Sequence, residues 1–223
     1  MEHDMKLIAD KVGYQYFRKD KKLLFELQET SFEAKEGKIT EIVGHSGSGK
    51  STLLNICAGL LTPSSGKIIA GDTSLYDLSD EARSKFRNKN IGIIPQGQSV
   101  LKHLTVTENI LLPVSMYGIE YSVELLDELI EKLGLKKLAG ESAGGLSGGE
   151  MRRVAIARAL VGKPEIILAD EPTGDLDSDN RKLVLTSLKE IADAGAAVLM
   201  VTHDKEAEEY ADEILRMDGG RLI

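Results

Sequence analysis

The size and charge of the chain set the first limits on its function. Its 223 residues suffice for one good-sized α/β core, with or without a smaller appended lobe, and are too few for several independent domains. Charged residues make up 29% of the chain and the formal net charge is −8, so no broad basic surface for nucleic acid is indicated.

The first part of the chain predicts strands, then a loop, then a helix. Apolar and polar residues alternate through residues 7–34, and the charged run 18–22 divides the pattern, which predicts an antiparallel hairpin. Residues 38–43 are a short apolar alternation typical of a third strand, and residues 53–58 have the pattern of a helix opening. The stretch between them is rich in glycine. The order is therefore strand, glycine-rich loop, helix.

The glycine-rich stretch satisfies the pattern G-x-x-x-x-G-K-[ST] with Gly44, Gly49, Lys50 and Ser51. Glycines let successive backbone N–H groups turn inward around phosphate oxygens, the helix N-terminus adds partial positive charge, and Lys50 adds a full one. The Ser51 hydroxyl is then placed to bind Mg²⁺ between the outer phosphates. We therefore predict a nucleotide triphosphate site; the alternative is a glycine-rich turn with an incidental lysine. The predicted phosphate-binding residues are Gly44, His45, Ser46, Gly47, Ser48, Gly49, Lys50, Ser51 and Thr52.

The segment after this first helix continues the mixed pattern. A turn at residues 63–66 leads into a further short strand pair. Residues 79–90 are polar with a helical tendency, and residues 91–94 are a short apolar run that predicts a buried strand. The core is therefore expected to extend to about residue 97.

A helical stretch follows and predicts a separate lobe. Residues 107–117 and 122–133 both have helical patterns, the second with leucines and isoleucines at helical spacing. Glycines then cluster in residues 144–149, and a further helix is predicted to run to Leu160. We interpret residues from about 98 to 160 as a helical lobe inserted between strands of the nucleotide core.

An acidic pair follows a strand that is apolar throughout. Residues 165–169 are typical of a strand buried on both faces, and Asp170 and Glu171 come at its end. Strand ends place side chains beside the phosphate loop in parallel sheets, so Asp170 is predicted to hold Mg²⁺. Glu171 points differently and is free to polarise an attacking water as a general base. The alternative for the pair is a helix cap or a solvated turn.

The last part of the chain repeats the alternation of helix and strand. A helix is predicted over 179–193, a strand over 196–201, a second helix after Asp204, and a final hairpin around 218–220. His203 lies two residues after the end of this strand. The alternation indicates an α/β fold with a parallel sheet.

Together these features resemble the nucleotide-binding subunit of ABC transporters over essentially the whole chain. The resemblance rests on the order of six motifs. They are the phosphate loop 44–52, Gln96 at the glutamine loop, the signature 146–150, the acidic motif 166–171, the aspartate-ending loop 173–177, and the switch histidine His203.

The resemblance implies a role for each matched residue. Gln96 would contact Mg²⁺ and the attacking water, and His203 would contact the γ-phosphate; for His203 the alternative is a strand-end histidine bonded to local backbone. Asp177 would link two sites across a dimer. Tyr16 would stack on adenine, with Phe17, Tyr14 and simple core packing as alternatives. The signature residues that would bind the γ-phosphate held by a partner subunit are Ser147, Gly148 and Gly149.

The resemblance also implies the architecture and the ligands. The expected fold is a P-loop NTPase core of the ABC type with a parallel sheet, an N-terminal antiparallel β subdomain and an inserted α-helical subdomain. Residues 1–223 would form a single ABC ATPase domain, with about 1–97 and 161–223 as the core and about 98–160 as the helical subdomain. The expected cofactors are ATP and Mg²⁺.

The expected partners are a second copy of the chain and a membrane protein. Two chains would pair head to tail around two ATP molecules, and an integral-membrane permease encoded separately would be driven by them; nucleic acid is not expected. With the single Cys57, no visible secretory signal and no apolar window of roughly 20 residues, we expect a cytoplasmic chain held at the inner face of the membrane by the permease.

The residues within these motifs most resemble those of the lipoprotein-release, macrolide-export and antimicrobial-peptide-resistance group of ABC transporters. Export or extracytoplasmic release of a lipoprotein, peptide or drug is therefore the leading hypothesis. A rival hypothesis is a signalling module in which ATP gates a permease-like partner without transport. An ABC ATPase acting on DNA or ribosomes and a phosphotransferase are the weaker alternatives, because the acidic charge opposes the first and the second leaves Ser147 and His203 without a role.

Overall fold

The structure is a computed structural model that describes residues 5–97, 99–174 and 176–223. Within these ranges the chain forms ten strands and six α-helices. The strands are β1 (Leu7–Phe17), β2 (Leu23–Ala34), β3 (Ile39–Val43), β4 (Ser65–Ala70), β5 (Thr73–Ser74), β6 (Ile91–Ile94), β7 (Ile166–Asp170), β8 (Ala197–Thr202), β9 (Glu213–Asp218) and β10 (Arg221–Leu222). The helices are α1 (Lys50–Cys57), α2 (Asp80–Asn90), α3 (Val106–Tyr117), α4 (Val123–Lys132), α5 (Gly148–Leu160) and α6 (Ser178–Asp193).

A six-stranded sheet in the order β10-β9-β3-β8-β7-β6 forms the centre of the molecule. Its strands β9, β3, β8, β7 and β6 run parallel, and β10 pairs antiparallel with β9. Every residue of β7 and β8 is buried, which explains their continuous apolar sequences. Because the strands are parallel, the loops that follow β3, β6, β7 and β8 meet at one edge of the sheet.

A second sheet of four antiparallel strands has the order β2-β1-β4-β5. The β1–β2 hairpin predicted from residues 7–34 is present, and its register shifts between Ala9 and Val12, where Lys11 has a positive φ of 51°. The prediction of a mixed α/β fold with an antiparallel part before the phosphate loop is therefore confirmed.

Two apolar cores lie on the two faces of the parallel sheet. One joins the sheet to α3, α4, α5 and α6, and the other joins it to α1 and the antiparallel sheet. Helix α5 packs against both α3 and β6, so it contacts the helical stretch and the sheet together. The division of the chain at residues 97 and 160 stays a prediction.

The helix predicted after Asp204 is present as a short 3₁₀-helix, Lys205–Glu209. In the described part of the chain, no helix is both long and apolar enough to cross a bilayer.

Candidate nucleotide site

A cavity of about 720 Å³ opens at the edge of the sheet where the parallel strands end. Its walls come from the glycine-rich loop, from the loops after β6, β7 and β8, and from strand β2. The residues that line it are Phe25, His45, Ser46, Gly47, Gly49, Lys50, Ser51, Thr52, Gln96, Glu171 and His203. The topology thus gathers most of the predicted phosphate and catalytic residues around one space.

The glycine-rich loop has the shape that its sequence predicts. It leaves β3 after Val43 and enters α1 with Gly49 as the N-terminal cap, at a φ of 109° that L side chains rarely adopt. A Cβ on Gly49 would lie 2.7 Å from Cζ of Phe25, so a larger residue there would also displace that ring. The N-terminus of α1 therefore faces the cavity without a side chain in the way.

Lys50 lies inside the loop. Only 7% of its surface is exposed, and its Nζ donates hydrogen bonds to the carbonyl oxygens of Gly44 at 2.6 Å and His45 at 3.2 Å. A buried ammonium is retained where such acceptors surround it. The positive charge is thereby held against the cavity, together with the N–H groups of the helix N-terminus.

Ser51 and Asp170 present two oxygen ligands side by side. The Ser51 hydroxyl donates to Oδ1 of Asp170 at 3.1 Å, and Asp170 is 8% exposed. Burial raises the pKa of Asp170, and the Ser51 hydrogen bond opposes that shift. A hydroxyl and a carboxylate are ligands that suit a hard cation such as Mg²⁺, so the residues fit the predicted metal.

Glu171 is held by the end of β8. Its Oε2 accepts a hydrogen bond from Thr202 Oγ1 at 3.0 Å, and its Oε1 lies 2.9 Å from Nδ1 of His203. Its backbone has a φ of 47°, in the left-handed region that non-glycine residues rarely occupy. Such strained residues cluster at functional sites, where surrounding contacts hold them in place. Glu171 and His203 therefore lie in direct contact at the cavity.

The signature residues lie apart from this cavity. Ser147 caps the N-terminus of α5, and its hydroxyl accepts a hydrogen bond from the backbone N–H of Glu150 at 3.3 Å. In return, Oε2 of Glu150 accepts hydrogen bonds from the backbone N–H and the hydroxyl of Ser147, both at 2.7 Å. These bonds lower the pKa of Glu150. Ser147, Gly148 and Gly149 are not among the residues that line the cavity.

Asp177 also lies outside the cavity and caps helix α6. Its Oδ1 accepts hydrogen bonds from the backbone N–H of Asn180 at 2.9 Å and from its amide at 3.0 Å, and these bonds lower the pKa of Asp177. Asn180 in turn accepts a hydrogen bond from Arg153 of α5. Asp175 of the predicted loop 173–177 lies outside the described residues.

The predicted adenine-binding aromatic does not line the cavity, whereas Phe25 does. Tyr16 is 54% exposed and lies directly opposite Phe25 in the β1–β2 pairing, so both side chains are on the same face of the hairpin. Tyr16 stays a prediction. Sequence reasoning missed Phe25 because its position depends on the register of the hairpin, although the alternation of residues 23–27 is a signal for its face.

A strand, a glycine-rich loop with a buried lysine, a helix and a strand-end carboxylate together define the class of P-loop nucleotide-binding proteins. A family model described as "ABC transporter" matches residues 27–174. The chain therefore belongs to the ABC transporter family of ATP-binding proteins. It is a nucleotide-binding cassette and an ATPase, as the motifs predict.

Several relatives are similar along almost their whole length. The lipoprotein-releasing system ATP-binding protein LolD of Francisella tularensis is 38% identical over 200 residues, which cover 88% of this chain and 87% of that protein. A solved dimeric bacterial ABC transporter cassette has a TM-score of 0.90 at 32% identity, covering 97% of this chain and 96% of that one.

The same cassette solved in a post-hydrolysis state bound to ADP and phosphate has a TM-score of 0.89, again at 32% identity and with the same coverage of both chains. The ABC ATPase fold predicted from the sequence is thereby confirmed.

Proposed function

We propose that this chain hydrolyses ATP as a head-to-tail dimer and drives a separately encoded integral-membrane permease, with export or extracytoplasmic release of a lipoprotein, peptide or drug as the result. The observation that carries the transport part is the 38% identity to the lipoprotein-releasing LolD protein over 88% of the chain. In this proposal the chain is cytoplasmic and reaches the inner face of the membrane through the permease. Nucleic acid is not a partner, because the net charge is −8.

The contacts around Glu171 support its role as the general base. A carboxylate held by Thr202 and His203 has a fixed orientation, and it lines the same cavity as Lys50 and Gln96. His203 is assigned to the γ-phosphate and Gln96 to the attacking water and the metal. Ser51, Asp170 and Gln96 would hold Mg²⁺, which supplies positive charge next to the phosphates.

The position of the signature supports a dimer. The N-termini of α1 and α5 are both suited to bind phosphate, but only the first faces the cavity. We assign Ser147, Gly148 and Gly149 to a γ-phosphate held by a partner copy and Asp177 to the contact between the two sites. A single chain would then bind ATP but hydrolyse it slowly.

The test of the catalytic part is Glu171→Gln. Loss of the general base should lower kcat by about 10²-fold or more while ATP still binds, because the phosphate loop is unchanged. Glu128→Gln, which neutralises an exposed carboxylate on α4, is the matched control and should hydrolyse ATP at the wild-type rate. Wild-type hydrolysis by Glu171→Gln would refute the assignment.

The test of the transport part is affinity purification of the tagged chain from gently solubilised membranes of its host. A co-purifying permease with a large extracytoplasmic domain would support the proposal, and reconstitution with that permease would then be used to follow release of a lipoprotein. Recovery of ribosomes or soluble proteins alone would contradict it. A complex that hydrolyses ATP and moves no cargo would instead favour the signalling hypothesis.

A further inference from the structure

Arg152 of helix α5 is a buried arginine that faces the loops at the edge of the parallel sheet. Only 5% of its surface is exposed. An arginine is rarely buried to this extent unless its donors are paired, because removing its charge from water is costly. The acceptors that surround its guanidinium therefore indicate its role.

Those acceptors are backbone carbonyl oxygens of two loops. At the end of β7 and in the loop that follows it, Nε donates to Pro172 at 3.0 Å, and Nη2 donates to Asp170 at 2.9 Å and also to Glu171. In the loop after β6, Nη1 donates to Pro95 and, more weakly, to Gly97 at 3.4 Å. A planar guanidinium has five N–H donors in fixed directions, so these bonds hold the two loops at a set separation.

The carbonyl groups flank the two residues proposed for hydrolysis. Pro95 and Gly97 lie on either side of Gln96 in the chain. The other three carbonyl groups belong to Glu171 itself and to its two neighbours, Asp170 and Pro172. Glu171 has the left-handed φ of 47°, which persists only where surrounding contacts impose it.

The backbone N–H of Glu171 donates to Val201 at 2.8 Å, and its carbonyl accepts from Gly174 at 3.1 Å as well as from Arg152. The arginine is thus one of a few contacts that impose this conformation on Glu171.

Arg152 also belongs to the helix that begins at the signature. Ser147 caps α5, and Arg152 lies little more than one turn further along the same rigid element. The signature helix is therefore bonded through one side chain to the backbone on either side of Gln96 and around Glu171.

We propose that Arg152 is a positioning residue that joins the signature helix to the glutamine loop and to the catalytic carboxylate, so that the three move as one unit when the signature engages nucleotide. This inference rests on the proposed roles of Glu171 and Gln96. Arg152 touches neither nucleotide nor water in this scheme and acts through the two loops.

Arg158 offers a matched control on the same helix. Its guanidinium is also partly buried and donates to the carbonyl oxygen of Ser99 at 2.8 Å, beyond the catalytic loops. Replacing either arginine by methionine removes one guanidinium from α5, and Arg158 is the less buried of the two. If kcat fell only because α5 had become less stable, both variants would show the decrease.

The experiment compares Arg152→Met, Arg152→Lys and Arg158→Met by steady-state ATP hydrolysis, by equilibrium binding of a fluorescent ATP analogue and by thermal unfolding. We expect Arg152→Met to lower kcat by about 10- to 100-fold while affinity for the analogue is unchanged, since small displacements of catalytic groups have effects of this size. Arg152→Lys should recover part of kcat, because an ammonium reaches only some of the carbonyls. Arg158→Met should retain the wild-type kcat.

Two results would overturn the inference. One is wild-type kcat in both Arg152 variants; the other is equal loss of kcat in Arg152→Met and Arg158→Met with matching loss of thermal stability. If Arg152→Met does not fold, the same comparison is made with Arg152→Lys, and a wild-type kcat there refutes the proposal. Failure of the catalytic assignment is separate, because it would appear as unaltered hydrolysis in Glu171→Gln.

Discussion

At the scale of single residues, two buried carboxyl groups behave differently because their surroundings differ. Asp170 accepts a hydrogen bond from Ser51, which lines the cavity. Glu41 on β3 is fully buried, and within the described residues neither of its carboxylate oxygens has a hydrogen-bond partner. Burial, with further contributions from Glu208 and Asp204, raises the pKa of Glu41 from 4.5 to about 7. Asp170 is thus suited to bind a metal ion. Glu41, when it is ionised, lowers the free energy of unfolding.

Glu41 therefore predicts how stability depends on pH. The folded state binds the proton more tightly, so its stabilising effect is complete below pH 4.5 and is lost as the pH rises through about 7. The shift from 4.5 to about 7 corresponds to roughly 3 kcal/mol. Glu41→Gln should raise the free energy of unfolding at pH 8 and have little effect at pH 4. Urea unfolding at both pH values tests this.

Glu29→Gln, on the exposed side of β2, is the control for Glu41→Gln and should leave the pH dependence unchanged. A destabilised Glu41→Gln at pH 8 would mean that the ionised carboxylate is favourable in the folded state, contrary to the prediction.

The adenine assignment is a second prediction at this scale. Tyr16→Ala should weaken ATP binding by about 1–3 kcal/mol, the range found when an aromatic that stacks on a base is removed. Leu24→Ala is a fair control because Leu24 is 51% exposed on the same hairpin, close to the 54% of Tyr16. Equilibrium binding of a fluorescent ATP analogue measures both. If Phe17→Ala or Phe25→Ala weakened ATP binding and Tyr16→Ala did not, the residue that stacks on adenine would be that phenylalanine and not Tyr16.

At the scale of elements, the N-termini of α1 and α5 differ in what they already bind. The first is capped by Gly49, which has no side chain, and its first residues line the cavity. The second begins at Ser147, where the carboxylate of Glu150 accepts two hydrogen bonds. A phosphate arriving at α5 must therefore share the helix N-terminus with a negative charge.

This difference predicts the effect of Glu150→Gln. Glutamine keeps the capping box but removes the charge, so repulsion of a phosphate at the N-terminus of α5 should fall. In the Glu171→Gln background, dimers should then form at a lower ATP concentration, as measured by light scattering during an ATP titration. Glu124→Gln in the first turn of α4 is the control. A requirement for more ATP would show that Glu150 assists the dimer.

At the scale of the whole molecule, the phosphate loop and the signature form separate surfaces of one chain. The solved relative with a TM-score of 0.90 is a dimeric cassette. A second copy placed head to tail would bring the signature of each chain to the phosphate loop of the other. The prediction at this scale is therefore an assembly that depends on ATP.

Glu171→Gln should accumulate as a dimer when ATP and Mg²⁺ are saturating, because nucleotide binds and is not hydrolysed. Size-exclusion chromatography with light scattering measures the mass. The double variant Lys50→Ala/Glu171→Gln removes the buried ammonium from the phosphate loop and should remain monomeric. A strictly monomeric Glu171→Gln under these conditions would count against the dimer.

Local patterns predicted much of the fold because they are set by residues near one another in sequence. The period of two in residues 7–34, the polar run 79–90 and the leucine stripe of 122–133 correspond to the β1–β2 hairpin, α2 and α4. The helix predicted after Asp204 is a 3₁₀-helix, a distinction of helix type that its sequence pattern does not make.

Sequence alone was enough to identify the phosphate loop, the strand-end carboxylates and the resemblance to the family, because glycines, a lysine and acidic residues at fixed spacing are chemical requirements of nucleotide binding. Three contacts become visible only in the folded chain: Phe25 lines the cavity, Thr202 bonds to Glu171, and Arg152 bonds to the backbone on either side of Gln96 and around Glu171. These contacts join residues far apart in the chain. They depend on strand register and on helix packing, which no local pattern specifies.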